Sequence, residues 1–229
     1  WRATFIGIGL FCGVVMPPLC LMLQRRPPAV LTAAAKTDEA ASRPLGLAPN
    51  GLHGFLAIAG IACCLAMAMP QAHIVAHATD LGHAAQRGAE MLALMLATGI
   101  ISRLAFGWIS DHLGGLETLL LGSSLQAVML FLFMFAESLS SLYLMAALFG
   151  LSQGGIVPSY AIIVRRYFVP GQAGWRIAFV LSMTLLGMAL GGWLAGLLYD
   201  LTGSYRMAFI NAVIFNLLNM AIAGALLRR

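Results

Sequence analysis

Long apolar runs separated by short polar connections dominate the chain. Seven of them are long enough to cross a membrane as helices: 3–23, 54–77, 89–108, 118–136, 142–167, 177–199 and 207–226. A hydrocarbon core of about 30 Å requires about 20 apolar residues in an α-helix. Because backbone groups find no water partners in lipid, each run is predicted to be helical even where Gly and Pro interrupt it. The pattern therefore predicts an all-α membrane protein.

The connection 24–53 differs from the others, which are short. It is polar, rich in Pro and Ala, and basic at Arg25, Arg26, Lys36 and Arg43, as expected of a flexible linker between domains. If this linker is cytoplasmic, alternate connections place five further basic residues on its side: Arg165, Arg166, Arg176, Arg228 and Arg229. The opposite side receives Arg2, Arg87 and Arg206. The positive-inside rule therefore predicts a plasma-membrane protein, in bacteria an inner-membrane protein, with linker and C-terminus in the cytoplasm.

The first and last apolar runs resemble each other. The segments 1–5 and 205–209 both read aromatic-Arg-x-x-Phe, and both runs end at an Arg pair. Parallel repeats joined by a cytoplasmic loop are typical of two-halved transporters. We therefore interpret 1–23 as the last helix of an N-terminal half, 24–53 as the linker, and 54–229 as a C-terminal six-helix domain whose partner is the rest of that N-terminal half. The alternative is a seven-span protein with a processed N-terminus.

The composition supports a membrane protein and argues against a soluble domain or a nucleic-acid-binding protein. The chain is 61% hydrophobic and 9% charged, against about 25% charged in soluble domains. Its net charge of +5 does not indicate nucleic-acid binding, because the basic residues lie at the ends of apolar runs. The four cysteines lie inside such runs, so we expect neither a disulfide framework nor a metal site. No phosphate-cradling loop is present, so we expect neither an enzyme nor a bound cofactor.

Arg103 is the basic residue that lies well inside an apolar run. An ionisable group there costs several kcal/mol unless it faces a cavity or a partner, which makes it a candidate functional residue. Its planar guanidinium suits a carboxylate. The alternatives are that Arg103 snorkels to the cytoplasmic interface or pairs structurally.

His73 and His77 are spaced i, i+4 and can share a helical face. Imidazoles on one face serve as metal ligands or as proton acceptors with a pKa of about 6.5. No third ligand is recognisable nearby, so we interpret the pair as lining an aqueous path to the substrate. Inert polar packing is the alternative.

Small residues recur at helical spacing on two late runs, at Gly150, Gly154, Gly155, Gly187, Gly191, Gly192 and Gly196. Such strips allow helices to approach closely. They indicate either a sliding surface for alternating access or packing alone. Asn211, Asn216 and Asn219 on the last run are interpreted as hydrogen-bonding links between helices.

Gly107, Asp111 and Gly114 match a loop signature in which Gly, three residues, Asp, a basic residue, one residue and Gly follow in order. With these residues the sequence resembles the major facilitator superfamily, although His112 stands at the basic position. The resemblance implies that Asp111 pairs with the cytoplasmic end of a neighbouring helix, where Arg165 and Arg166 are the available cations.

Pro70 late in one span, a short external loop, and Arg103 followed by Gly107 are similar to the seventh and eighth helices of monocarboxylate and oxalate/formate-type carriers. This resemblance implies that Arg103 binds a substrate carboxylate. Gly99 stands where some members have Asp. The implied function is secondary transport of small organic anions by proton symport or anion exchange. The alternatives are a facilitator-type carrier of a drug or sugar, and a membrane scaffold that transports nothing.

Overall fold

The computed structural model describes residues 2–22 and 44–229. Within them the chain is helical, and seven segments are long and apolar enough to span a membrane, which confirms the predicted fold class. The helices are α1 (Arg2–Met22), α2 (Pro49–Asp80), α3 (Ala85–Leu113), α4 (Gly115–Phe133), α5 (Leu139–Gln153), α6 (Ile156–Tyr167), α7 (Pro170–Thr202) and α8 (Tyr205–Leu227). The chain divides into two compact units, of which the first contains α1 and the second contains α2 to α8.

The helices α2, α3 and α7 extend beyond the predicted apolar runs at both ends, whereas α4 ends at Phe133, before the predicted boundary at residue 136. The α2 helix begins at Pro49, five residues before the apolar run that the sequence predicted from residue 54. Pro suits the first helical position because its missing N–H would have no helical partner there. Residues 24–43 of the predicted linker lie outside the described residues. The predicted run 142–167 is one span made of two helices, α5 and α6.

A buried arginine holds the starts of α2 and α7 together. The side chain of Arg176 is 4% exposed, and its guanidinium lies 4.4 Å from the Phe168 ring centroid and 4.6 Å from that of Trp175. Its Nη2 donates to Asn50 Oδ1 at 3.2 Å, and the His53 ring hydrogen-bonds the Arg176 carbonyl at 3.3 Å. These contacts explain why polar residues ahead of the apolar run are helical.

The α2 helix is the centre of the second unit and packs most extensively against α7. Glycine permits this contact. A Cβ built on Gly187 or Gly191 would lie 2.4 Å from the Ile61 carbonyl oxygen and 2.3 Å from the Leu65 carbonyl oxygen, respectively. A Cβ on Gly192 would meet nothing nearer than 3.7 Å. Gly187 and Gly191, two of the glycines at helical spacing in the sequence, therefore form a packing surface within this unit.

Hydrogen-bonded polar side chains connect α4, α6 and α8 in the core. Tyr160 Oη donates to Asn219 Oδ1 at 2.8 Å, and Asn219 Nδ2 donates to Ser123 Oγ at 2.7 Å. Asn216 Nδ2 donates to the Ser123 carbonyl at 2.8 Å. The link between helices that the sequence predicted for Asn216 and Asn219 is present. Gln126 on α4 is equally buried, yet neither of its amide atoms has a hydrogen-bond partner among the described residues.

We predict that Gly191→Ala lowers the stability of the protein by about 1–3 kcal/mol, as overpacking does in well-packed cores, because the added methyl group meets the α2 backbone. The midpoint of thermal unfolding in detergent measures the effect. Gly192→Ala is the matched control and should leave the midpoint unchanged or slightly higher. Equal midpoints for the two variants would contradict the close approach of α7 to α2.

A second pair of variants tests the polar core. Asn219→Leu removes the partner of Tyr160 and Ser123, and we expect it to destabilise the protein by about 1–3 kcal/mol. Gln126→Leu removes a buried amide without hydrogen bonds, and we expect it to raise the unfolding midpoint. If both variants destabilise equally, Gln126 has a hydrogen-bond partner in the folded protein, such as an internal water.

Candidate functional site

The span formed by α5 and α6 breaks where it meets α3. A Cβ on Gly150 would lie 2.2 Å from the Met95 carbonyl oxygen, and one on Gly154 would lie 2.6 Å from the Arg103 backbone nitrogen. Ser102 compensates for the break, since its Oγ donates to the Leu151 carbonyl at 2.6 Å and accepts from the Gly154 N–H at 3.1 Å. Broken helices inside a membrane require such partners for their freed backbone groups. The break brings the end of α5 beside Arg103.

Arg103 lines a cavity of about 400 Å³ between α2, α3, the α5–α6 break and α7. Ligand pockets measure about 300–1,000 Å³, so a small molecule fits. Its polar lining includes Arg103, Gln71, Gln153 and Thr184, while its apolar lining includes Leu96, Met67, Ile100, Val157, Leu185 and Met188. Ile100 is 64% exposed, so the cavity is open on the α3 side. Arg103 thus lies on the wall of a cavity, and it is itself exposed. That it binds a substrate stays a prediction.

Two glutamines on the cavity wall are linked, and the sequence analysis did not single them out. Gln71 follows Pro70 on α2, Gln153 is the last residue of α5, and Gln71 Nε2 donates to Gln153 Oε1 at 2.6 Å. Gln153 Nε2 lies 3.9 Å from the Cβ position of Gly99, one helical turn before Arg103 on the same face. Gln153 immediately precedes Gly154 and Gly155. A polar residue beside two glycines inside an apolar run was the sequence signal that could have singled it out.

The two histidines do not lie in this cavity. His73 is held between α7 and α8, where its Nε2 lies 2.8 Å from the Gly192 carbonyl and its Nδ1 lies 3.3 Å from Tyr205 Oη. His77 lines a different cavity of about 300 Å³ near the predicted external end, with Asp80 and Arg206. The i, i+4 face that they share packs against the helices of its own bundle, so the structure separates both from Arg103.

The loop signature residues lie at the junction of α3 and α4. Asp111 is exposed in the last turns of α3, and Gly114 has φ = 99° in the one-residue turn between the helices, a conformation that favours glycine. The expected pairing of Asp111 with Arg165 or Arg166 is not formed: the one ion pair within 4.0 Å in residues 2–22 and 44–229 is Arg87–Glu90.

Arg166 makes a different approach to this junction. Its Nη1 lies 2.6 Å from the position that a Cβ on Gly114 would occupy, and Glu117 Oε2 lies 2.9 Å from the same position. The missing side chain of Gly114 therefore leaves room for the Arg166 guanidinium beside the start of α4. His112, at the basic position of the signature, bonds the Trp108 carbonyl of its own helix at 2.8 Å.

Residues 54–229 match the Major Facilitator Superfamily. The chain therefore belongs to this superfamily of multi-pass membrane transporters, and the resemblance noted from its sequence is confirmed. The members of this family are transporters and not enzymes. Monocarboxylate transporter 13 of Rattus norvegicus is 30% identical over 64% of this chain and 35% of its own length. Monocarboxylate transporter 10 of the same species is 28% identical over 62% of this chain and 28% of its own length.

A bacterial relative matches a longer segment. The uncharacterized MFS-type transporter YcxA of Bacillus subtilis is 25% identical over 94% of this chain and 54% of its own length. The fold is similar to that of the fucose:proton symporter FucP of E. coli, with a TM-score of 0.67 and 16% identity over 91% of this chain and 51% of that chain. The chain thus spans about a third to a half of the relatives that it matches.

We predict that Ser102→Ala destabilises the protein by about 1–3 kcal/mol, because the Gly154 N–H and the Leu151 carbonyl lose their partner at the break. The unfolding midpoint in detergent measures the loss. Ser182→Ala is the control, since Ser182 Oγ bonds only the Ala178 carbonyl of its own exposed helix turn. A Ser102→Ala midpoint equal to that of the control would show that the break does not depend on this hydroxyl.

Proposed function

We propose that this chain is the C-terminal half of a secondary carrier that moves small organic anions, monocarboxylates among them, by alternating access. The observation that supports this proposal most directly is Arg103, an arginine within a span, on the wall of a 400 Å³ cavity. A charge within a span is costly unless a cavity supplies water or a counter-ion. In such a cavity the planar fork of Arg103 is suited to bind a carboxylate with two hydrogen bonds.

The relatives add independent support. Two of them are named monocarboxylate transporters, at 30% and 28% identity. In the proposed arrangement α1 is the last helix of the N-terminal half, the linker follows in the cytoplasm, and α2 to α8 form the six spans of the C-terminal half. The substrate site then lies near the midplane between two halves that rock about it, as in carriers built from repeats. The proposed membrane is the plasma membrane, with the C-terminus inside.

The natural-length protein in proteoliposomes tests the substrate class. We expect uptake of labelled lactate and formate and none of a neutral sugar such as fucose. Sugar uptake without carboxylate uptake would indicate a facilitator-type carrier in which Arg103 is structural, and no uptake of either would favour a scaffold. Stimulation by an inward proton gradient indicates symport, whereas stimulation by internal unlabelled anion indicates exchange.

Arg103→Lys keeps the charge but loses the bidentate fork, so we expect at least a tenfold loss of kcat/KM for lactate, which corresponds to about 1.4 kcal/mol. Arg103→Leu should abolish carboxylate uptake while expression and the unfolding midpoint are retained. Arg87→Leu is the matched control, because Arg87 lies on the same helix but pairs with Glu90 at 3.0 Å, outside the cavity. Unchanged lactate uptake in Arg103→Leu would falsify the proposed role.

A further inference from the structure

The linked amides of Gln71 and Gln153 have hydrogen-bonding capacity that the protein does not use. A glutamine amide offers one carbonyl acceptor and two N–H donors. One donor of Gln71 and the carbonyl of Gln153 form the 2.6 Å hydrogen bond between them. In the described part of the chain, Gln71 Oε1 accepts no hydrogen bond and Gln153 Nε2 donates none. If both amides are turned over, the pair still leaves one carbonyl and N–H groups unused.

These unused groups belong to the wall of the cavity that contains Arg103. Both glutamines line it, and Gln153 is buried, with 8% of the residue exposed. Its Nε2 lies beside Gly99, which shares a helical face with Arg103 one turn later. A ligand bound at Arg103 in this cavity therefore has an unused donor and an unused acceptor on the wall of the same cavity. Much of the remaining lining is apolar, including Leu96, Ile100, Val157 and Met188.

We propose that the Gln71–Gln153 pair binds a polar substituent of the substrate and selects carboxylates that have a hydroxyl group over those that do not. This inference rests on the proposed function, in which Arg103 binds the carboxylate. A hydroxyl both donates and accepts a hydrogen bond, which matches the carbonyl and N–H groups that the pair leaves unused. A substrate without the hydroxyl leaves these groups unpaired when it displaces water, and sites built in this way discriminate strongly against such analogues.

A different role for the pair is a latch between α2 and α5 that has no contact with substrate. Lactate and propionate separate the two roles, because they have the same carbon skeleton and charge and differ by one hydroxyl. Loss of a latch changes the transport of both substrates alike. Loss of a binding group changes the ratio of their kcat/KM values.

The test uses Gln153→Leu in the natural-length protein, with uptake of labelled lactate and propionate in proteoliposomes. We expect the lactate-to-propionate ratio of kcat/KM to fall about tenfold, mainly through the KM of lactate, with propionate changed less than twofold. Gln71→Leu should give the same change, since the two amides act as a pair, and it serves if Gln153→Leu fails to fold. Gln126→Leu makes the same substitution away from the cavity and should leave the ratio unchanged.

Equal losses for both substrates, or an unchanged ratio in a folded variant, would overturn the proposal. Its failure is distinguishable from that of the proposed function. If the parent protein transports both substrates and Arg103→Leu abolishes both while the glutamine variants leave the ratio unchanged, only the second subsite is wrong. If the parent protein transports neither lactate nor propionate nor formate, the carboxylate-carrier function is wrong, and with it the subsite. Uptake of formate alone would agree with a carboxylate carrier but would overturn the subsite.

Discussion

The contact between α3 and the broken span α5–α6 is the constraint on which the candidate site depends. Gly150 and Gly154 allow the two backbones to approach more closely than any side chain would permit, and lipid offers no water to the groups freed at the break. The Ser102 hydroxyl supplies those hydrogen bonds. Because Ser102 and Arg103 are neighbours in the sequence, the interaction that stabilises the break also places Arg103 at the wall of the cavity that Gln153 lines.

Polar side chains in the core of the bundle also need hydrogen-bond partners, and there they find them in one another. Tyr160, Ser123 and Asn219 satisfy one another in a closed network between helices, and such interhelical bonds contribute about 0.6 kcal/mol each on average in a membrane. The glutamine pair at the cavity is satisfied only in part. A closed network links helices, whereas unused donors and acceptors on a cavity wall remain available to a ligand. This difference is the basis on which we propose a substrate-facing role for the glutamine pair and a structural role for the core network.

The histidines show the limit of spacing as evidence. An i, i+4 pair must share a face, but periodicity does not reveal what that face meets. The face of His73 and His77 meets Tyr205 on α8, with ring centroids 5.4 Å apart in each case. The two residues therefore share a helical face, as their spacing predicts. Their separation from Arg103 follows from the rotation of α2, which directs Gln71 toward α5 and His73 toward α7.

The sequence by itself determined the spans, the helical class and the family, because length and hydrophobicity decide which segments cross a bilayer and the Gly107, Asp111, Gly114 spacing is local. It also determined Arg103 as a candidate, since a charge in an apolar run is rare. Only the tertiary structure decided that Gln71 and Gln153 meet, that Gly187 and Gly191 pack within one unit, and that Asp111 forms no ion pair with another described residue. Residues that are 82 positions apart in the chain, as the two glutamines are, come together through helix rotation and packing, which no local pattern records.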